Sequence, residues 1–137
     1  MESFLAVPLD IGAQLDVEFT IAPAMLTHHV PGRPGLLMTP TLVGLIEETC
    51  ARLVRPHLNP GAAAVGTWVG VHHTGSATLG ETLTVRATVT EFKGRRIRYA
   101  VTAQVAQRPV GHGEIGFTLV HFPAASSDEP VSTVDRL

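Results

Sequence analysis

Residues 36–58 read LLMTPTLVGLIEETCARLVRPHL, and this stretch decides the fold. Thr39-Pro40 marks the start of a helix: a hydroxyl residue able to cap free backbone N–H groups, then proline at the first helical position, where the missing N–H costs nothing. The helix is expected to begin at Pro40. At about 100° per residue, Leu42, Val43, Leu45, Ile46, Thr49, Cys50, Leu53 and Val54 share one broad arc, with Glu48, Arg52 and Arg55 opposite. The arc must face a core. Glu48 and Arg52, four apart in the favourable order, support each other on the wet face. Glu47 projects at the margin of the arc beside Val43 and Val54, where an ionised carboxylate loses hydration unless something pairs with it. Gly44 weakens a helix interior by roughly 1 kcal/mol relative to alanine, which implies that another backbone or a ligand comes close. Pro56, Asn59, Pro60 and Gly61 end the helix.

Working outward, Leu15, Val17, Phe19 and Ile21 alternate with Asp16, Glu18 and Thr20, the period-2 mark of a strand with one buried face. Pro23, Pro31, Gly32, Pro34 and Gly35 make 22–35 an irregular loop leading into the helix. Beyond the helix, Val65 to Thr74 is a strand rich in Val, Thr and Trp, and its Gly66 and Gly70 mark close approach by a helix or ligand. Leu83, Val85, Ala87 and Val89 form the buried face of another strand. Lys93-Gly94 is a hairpin turn into a strand with Ile97, Tyr99, Val101, Ala103 and Val105 on one face. Arg108-Pro109 is expected to be the next turn, followed by a last strand with Ile115, Phe117, Leu119 and His121 on one side. The order is one strand, a long apolar helix, then four antiparallel strands. It describes an α+β fold, a curved antiparallel sheet wrapped around one long central helix. A single domain is expected over 1–122, with 123–137 a disordered tail by its Ser, Asp, Glu and Pro content.

A chain of 137 residues with 45% apolar residues, 16% charged and a formal charge of −2 is an ordinary globular composition without the broad basic field that nucleic-acid binding needs. The lone Cys50 excludes a disulfide framework and points to a reducing cytoplasm. The N-terminus has no basic leader, and no run reaches the roughly 20 apolar residues of a membrane span, so no membrane partner is expected.

Seven histidines raise the question of a metal. The pairs His28-His29 and His72-His73 and the scattered His57, His112 and His121 do not give ligand spacing, and no metal is expected. His72 and His73 lie in a strand, so only one of them can look toward the helix. That imidazole, the Glu47 carboxylate and the Thr39 hydroxyl, converging where a sheet wraps a helix, would form an acid/base site. Each has a plainer role open to it: Thr39 as a cap, Glu47 at solvent, the histidines as polar residues near a strand end. There is no Gly-x-Ser-x-Gly elbow, phosphate-binding glycine loop or dinucleotide fingerprint, and Cys50, in mid-helix, is a poor nucleophile.

The run from Thr39 to Glu47, followed by Asn59-Pro60-Gly61, Val65-Gly66-Thr67, Val71-His72-His73-Thr74 and the Gly94-Arg95-Arg96 hairpin, resembles the hot-dog-fold thioesterases of the fluoroacetyl-CoA thioesterase type from about Phe19 to Phe122. The resemblance implies a hot-dog fold, Thr39, Glu47 and His73 as catalytic residues, and Gly66 close to the bound acyl group. It also implies a homodimer or dimer of dimers with each site at a subunit interface and the coenzyme A arm along the surface. Two departures bear on specificity. The segment Thr27 to Gly35 is short and carries no phenylalanine for an aromatic lid, and Phe117 stands in the substrate-binding region where the fluoroacetyl enzyme's last strand carries a basic residue. Both favour an acyl group more apolar than fluoroacetyl. The activity expected is hydrolysis of a small acyl-CoA thioester with no cofactor beyond the coenzyme A of the substrate. The rivals are a hot-dog hydratase or dehydratase acting on acyl thioesters and a non-catalytic acyl-CoA-binding dimer module.

Overall fold

The computed structural model describes residues 3–29 and 31–122; the tail expected at 123–137 lies outside the described residues. Strand β1 (Gln14–Thr20) is followed by a 3-10 turn at Pro23–Met25, helix α1 (Thr39–Val54), a 3-10 turn at Arg55–His57, and strands β2 (Ala62–His73), β3 (Thr82–Lys93), β4 (Arg96–Val105) and β5 (Arg108–His121). The strands form one sheet in the order β1-β3-β4-β5-β2, every pair antiparallel. The chain therefore leaves one edge of the sheet, crosses its inner face as α1, and returns as the opposite edge, β2.

Period decides the packing. On α1, Leu42, Ile46, Thr49, Cys50, Leu53 and Val54 are buried, as the 3.6-residue spacing predicts, while Val43 and Leu45 are half-buried at the borders of the arc. Opposite them stand Leu83, Val85, Ala87 and Val89 of β3, Ile97, Tyr99, Val101 and Ala103 of β4, and Ile115, Phe117 and Leu119 of β5, all buried. Full burial of one such aliphatic side chain stabilises the fold by roughly 1.5–3 kcal/mol. The polar exception, Thr49, donates its hydroxyl to Leu45 O at 2.9 Å, so the core loses no hydrogen bond there. On the wet face, Glu48 accepts from Arg52 at 3.2 Å.

Three boundaries differ from expectation. The helix starts one residue early: Met38, in extended conformation, occupies the cap position, no side chain caps the N-terminus, and Pro40 sits in the first turn. Thr39 is thus the first helical residue rather than a cap, and its hydroxyl is free for another partner. The β4–β5 turn is Ala106-Gln107, not Arg108-Pro109, with Ala106 at φ +53°. Arg108 and Pro109 already pair with Val105 and Gln104, beside a register shift where a residue without N–H is tolerated. The segment before the helix is not wholly irregular. Besides the turn at Pro23–Met25, a bridge between Leu26 and Leu37 and the bond from Thr27 N to Leu36 O (2.7 Å) close it into a narrow arm beside the helix N-terminus.

Strand β2 is an edge strand of 12 residues, and a register shift at Thr67 splits it. Before and after this bulge, Val65, Trp68 and Val69 stand 42%, 44% and 47% exposed, an unusual load of apolar surface for a strand with one free edge.

Candidate active site

The first turn of α1 and the end of β2 meet at the rim of the sheet. There the Thr39 hydroxyl and His73 Nδ1 share a hydrogen bond of 2.8 Å. His73 faces the helix. His72, one residue earlier, points to the outer face and stacks on His112, its cross-strand partner, with ring centroids 5.4 Å apart. Of the two adjacent histidines only His73 is in a position to act with the helix. The Thr39–His73 pair opens on a cavity of about 690 Å³ whose wall includes His29, Leu36, Leu37, Met38, Pro40 and Ser76. The cavity is mainly apolar with an imidazole and hydroxyls at its rim, the usual make-up of a small-molecule pocket. His29 and Leu36 reach it only because the Leu26–Leu37 bridge folds their arm back, a long-range pairing that no local pattern in the sequence announces.

Glu47 is not with them. It lies two turns further along α1, about 12 Å by helical rise, and its half-buried carboxylate rests on β2 at Gly66, seven residues and roughly 20 Å of strand before His73. A Cβ built on Gly66 would lie 2.9 Å from Glu47 Oε1 and 3.0 Å from its Cδ. Gly66 therefore leaves room for an acid side chain, which explains one of the two glycines in this strand. Gly70 makes room for the indole of Trp68, whose ring edge would stand 2.6 Å from an added Cβ. Among the described residues, Glu47 has neither a side-chain hydrogen bond nor an ion pair. The three residues expected to converge thus divide within one protomer: hydroxyl and imidazole together, carboxylate apart.

The other residues singled out in the sequence lie elsewhere in the protomer. Phe117, expected in the substrate-binding region, has its ring buried in the core, edge-on to Tyr99 with centroids 5.3 Å apart, and it underlies Gly66 as that residue's cross-strand partner. It packs in the core of this protomer and does not line the cavity beside His73. Among the described residues, nothing beyond the helix's own backbone and the neighbouring residues comes within 4 Å of a would-be Cβ on Gly44, so no other element of the described protomer uses the gap. Cys50 is fully buried, and burial, reinforced by the Glu47 charge, pushes its thiol up to about 12. So protonated a thiol is inert as a nucleophile. Among the described residues no group of three or more His, Cys, Asp or Glu lies close enough to hold a metal ion. No helix of the described residues is long and apolar enough to cross a membrane.

Residues 21–121 match the model of the fluoroacetyl-CoA-specific thioesterase family. The chain belongs to that family. Among the family's members, the fluoroacetyl-CoA thioesterase of Streptantibioticus cattleyicolor is 29% identical over 119 residues, spanning 82% of this chain and 86% of that one. A solved structure of the fluoroacetyl-CoA thioesterase FlK superimposes with a TM-score of 0.77 at 29% identity, covering 83% of this chain and 90% of the other. A thioesterase superfamily member from Thermus thermophilus, 23% identical, shares the architecture at a TM-score of 0.75 over 83% of this chain and 85% of its own. The five-stranded antiparallel sheet around a single helix is the hot-dog fold expected from the sequence, and the family's enzyme class is thioester hydrolase.

Proposed function

We propose that this protein is an acyl-CoA thioesterase whose site is completed by a second copy of the chain, Thr39 and His73 coming from one protomer and Glu47 from the other. One observation carries this reading: a hydroxyl–imidazole pair sits in a cavity wall at one end of β2, while a carboxylate with no partner among the described residues sits over the other end of the same strand. A two-fold axis perpendicular to the sheet, pairing β2 with its copy antiparallel, brings the two ends together if Gly66 of one strand stands opposite His73 of the other. Neighbouring strands are only about 4.8 Å apart, so the partner's carboxylate would then lie beside the imidazole. The axis falls between Val69 and Gly70. This pairing also satisfies the free edge of β2 and covers Val69, 47% exposed in the protomer. The expected homodimer follows, and pairs of dimers remain compatible with it.

In such a site the Glu47 carboxylate either attacks the thioester carbonyl or orients the attacking water. His73 takes a proton from the water that attacks the acyl carbon, directly or in hydrolysing the glutamyl anhydride, and supplies a proton to the departing coenzyme A sulfur. Thr39 holds the imidazole through Nδ1 and presents its hydroxyl to the acyl group. The C–S bond breaks, a C–O bond to the acyl carbon forms, and the net reactant is one water. Nothing in this route calls for a metal or a further cofactor. Leu36, Leu37, Met38 and Pro40 in the cavity wall suit a small apolar acyl group better than fluoroacetyl, and the arm over the cavity carries no phenylalanine. A cytoplasmic location is the one in which a lone buried thiol and an acyl-CoA substrate both belong.

The test is thiol release from a panel of acyl-CoA esters by wild type, Glu47→Ala, His73→Ala and an equal mixture of the two variants refolded together. Each variant alone should be nearly inactive. The mixture should recover about a quarter of wild-type activity, since half of the dimers are mixed and each has one intact site. No thiol release from any ester, or loss of enoyl-CoA absorbance without thiol, refutes the hydrolase. Inactive variants without recovery on mixing refute the shared site alone.

A further inference from the structure

We propose that His29 selects the acyl group, and that the preferred ester carries a neutral oxygen, oxo or hydroxyl, on an apolar acyl chain beyond the thioester carbonyl. The inference rests on the acyl-CoA reading above. It begins with the other adjacent pair of histidines. Thr27 and His29 both line the cavity beside Thr39 and His73, and His28 between them does not. One imidazole of each adjacent pair is thus turned to the site. His73 already shares its hydrogen bond with Thr39, whereas the His29 imidazole has no hydrogen-bond partner among the described residues.

The arm that carries His29 is tied down along its length. Thr27 N donates to Leu36 O at 2.7 Å, Leu37 N to Ala77 O at 2.8 Å, and Met38 N to Met25 O at 2.9 Å. The Thr78 hydroxyl donates to Gly35 O at 3.0 Å, and Thr27 Oγ1 accepts from Leu36 N at 3.5 Å. The Thr27 oxygen is engaged inside the arm. On the arm's side of the cavity the imidazole is therefore the polar group left without a partner among the described residues, and it stands on a segment that is held in place before any substrate arrives.

With the thioester carbonyl at Thr39 and His73, the acyl chain enters a cavity of about 690 Å³ whose wall includes Leu36, Leu37, Met38 and Pro40. These side chains take an apolar stem. A chain of hydrocarbon alone, packed over His29, would strip the imidazole of water and give it no hydrogen bond in return. An imidazole N–H donates in either protonation state, so an oxygen acceptor on the chain restores the bond. Among the described residues no lysine or arginine lines the cavity, so a carboxylate there would lose its hydration without a fixed cation beside it. A neutral oxo or hydroxyl oxygen is the group that fits both the stem and the imidazole.

The experiment measures thiol release by wild type, His29→Phe and His29→Gln from 3-hydroxybutyryl- and 3-oxobutyryl-CoA against butyryl-CoA, from 4-oxopentanoyl-CoA against pentanoyl-CoA, and from succinyl-CoA. Protection against thermal unfolding by the same esters gives a readout independent of turnover. Expected for wild type is a kcat/KM for at least one neutral oxygenated ester roughly five- to tenfold above its plain counterpart, the worth of one hydrogen bond, carried mainly by KM. His29→Phe should bring that ratio to one or below, and His29→Gln, which keeps an N–H donor, should retain most of it. A merely structural role for His29 would slow every ester alike and leave the ratio standing. That result overturns the proposal, as does a wild-type preference for the plain esters or for succinyl-CoA. If no ester is hydrolysed, the thioesterase reading falls by itself. Stronger protection of wild type by an oxygenated ester than by its plain counterpart, lost in His29→Phe, then upholds the role of His29, and equal protection overturns it.

Discussion

Gly66→Ala separates positioning of the acid from stability of the fold. The backbone at Gly66 is ordinary extended strand and accepts an L side chain, so the substitution acts only through the added methyl. That methyl would stand 2.9 Å from Glu47 Oε1, 3.0 Å from Cδ and 3.3 Å from Oε2. Comfortable contact needs about 3.5 Å, so the carboxylate must retreat by roughly 0.5–1 Å. It can do so by turning the end of a flexible, half-buried side chain, at a cost of about 0.5–1.5 kcal/mol. Alanine in place of glycine within a strand returns about 0.5–1 kcal/mol. The two nearly cancel, and Tm should move by less than about 4 °C. Catalysis has no such compensation: a misplacement of about 1 Å costs on the order of 10²-fold in rate. Thiol release should therefore show kcat/KM reduced about a hundredfold. The reasoning is refuted if the variant hydrolyses acyl-CoA like wild type, or if activity is lost together with a Tm fall beyond about 10 °C, which would mean that the methyl damages the sheet rather than the seat of the acid.

Thr39→Val removes the hydroxyl that holds His73 Nδ1 at 2.8 Å and should lower kcat/KM at least tenfold with a Tm change of only a few degrees, whereas Thr39→Ser should retain most activity; equal activity in the valine variant would release Thr39 from the site. Alkaline pH should destabilise the fold through Cys50. Its thiol is held up to about 12 in the native state against 9.0 when free, so the unfolded chain loses a proton that the native chain keeps. Stability is full below pH 9 and falls as pH rises toward 12, by at most about 1.4 kcal/mol per pH unit from this group. Burial raises the Tyr99 phenol as well, which adds in the same direction, so Cys50→Ala should flatten but not abolish the slope of Tm against pH. Tyr99→Phe should raise stability by roughly 1 kcal/mol in a denaturant titration, because the Tyr99 hydroxyl is buried without a hydrogen-bond partner among the described residues.

The amino-acid sequence by itself determined the elements. Apolar spacing near 3.6 residues from Leu42 to Val54 and strict alternation at Leu83–Val89 and Ile97–Ala103 are local properties; every alternate residue on the two strand faces is buried, and on the helix arc only Val43 and Leu45, at its borders, are half-buried. The sequence also singled out Thr39, Glu47 and one of two histidines as candidates for acid/base work. Which histidine, and with what partner, was decided by tertiary structure. His73 faces the helix because of the pleat of β2, and Thr39 meets it because Met38, not Thr39, takes the cap position. The β4–β5 turn fell two residues before its expected place because the pairing of Arg108 and Pro109 with β4 outweighed a turn-forming dipeptide. The separation of Glu47 from His73 is the largest difference. Nothing local reports it, since it arises from a helix rising about 1.5 Å per residue against a strand rising about 3.3 Å, laid along one another by the order of strands in the sheet.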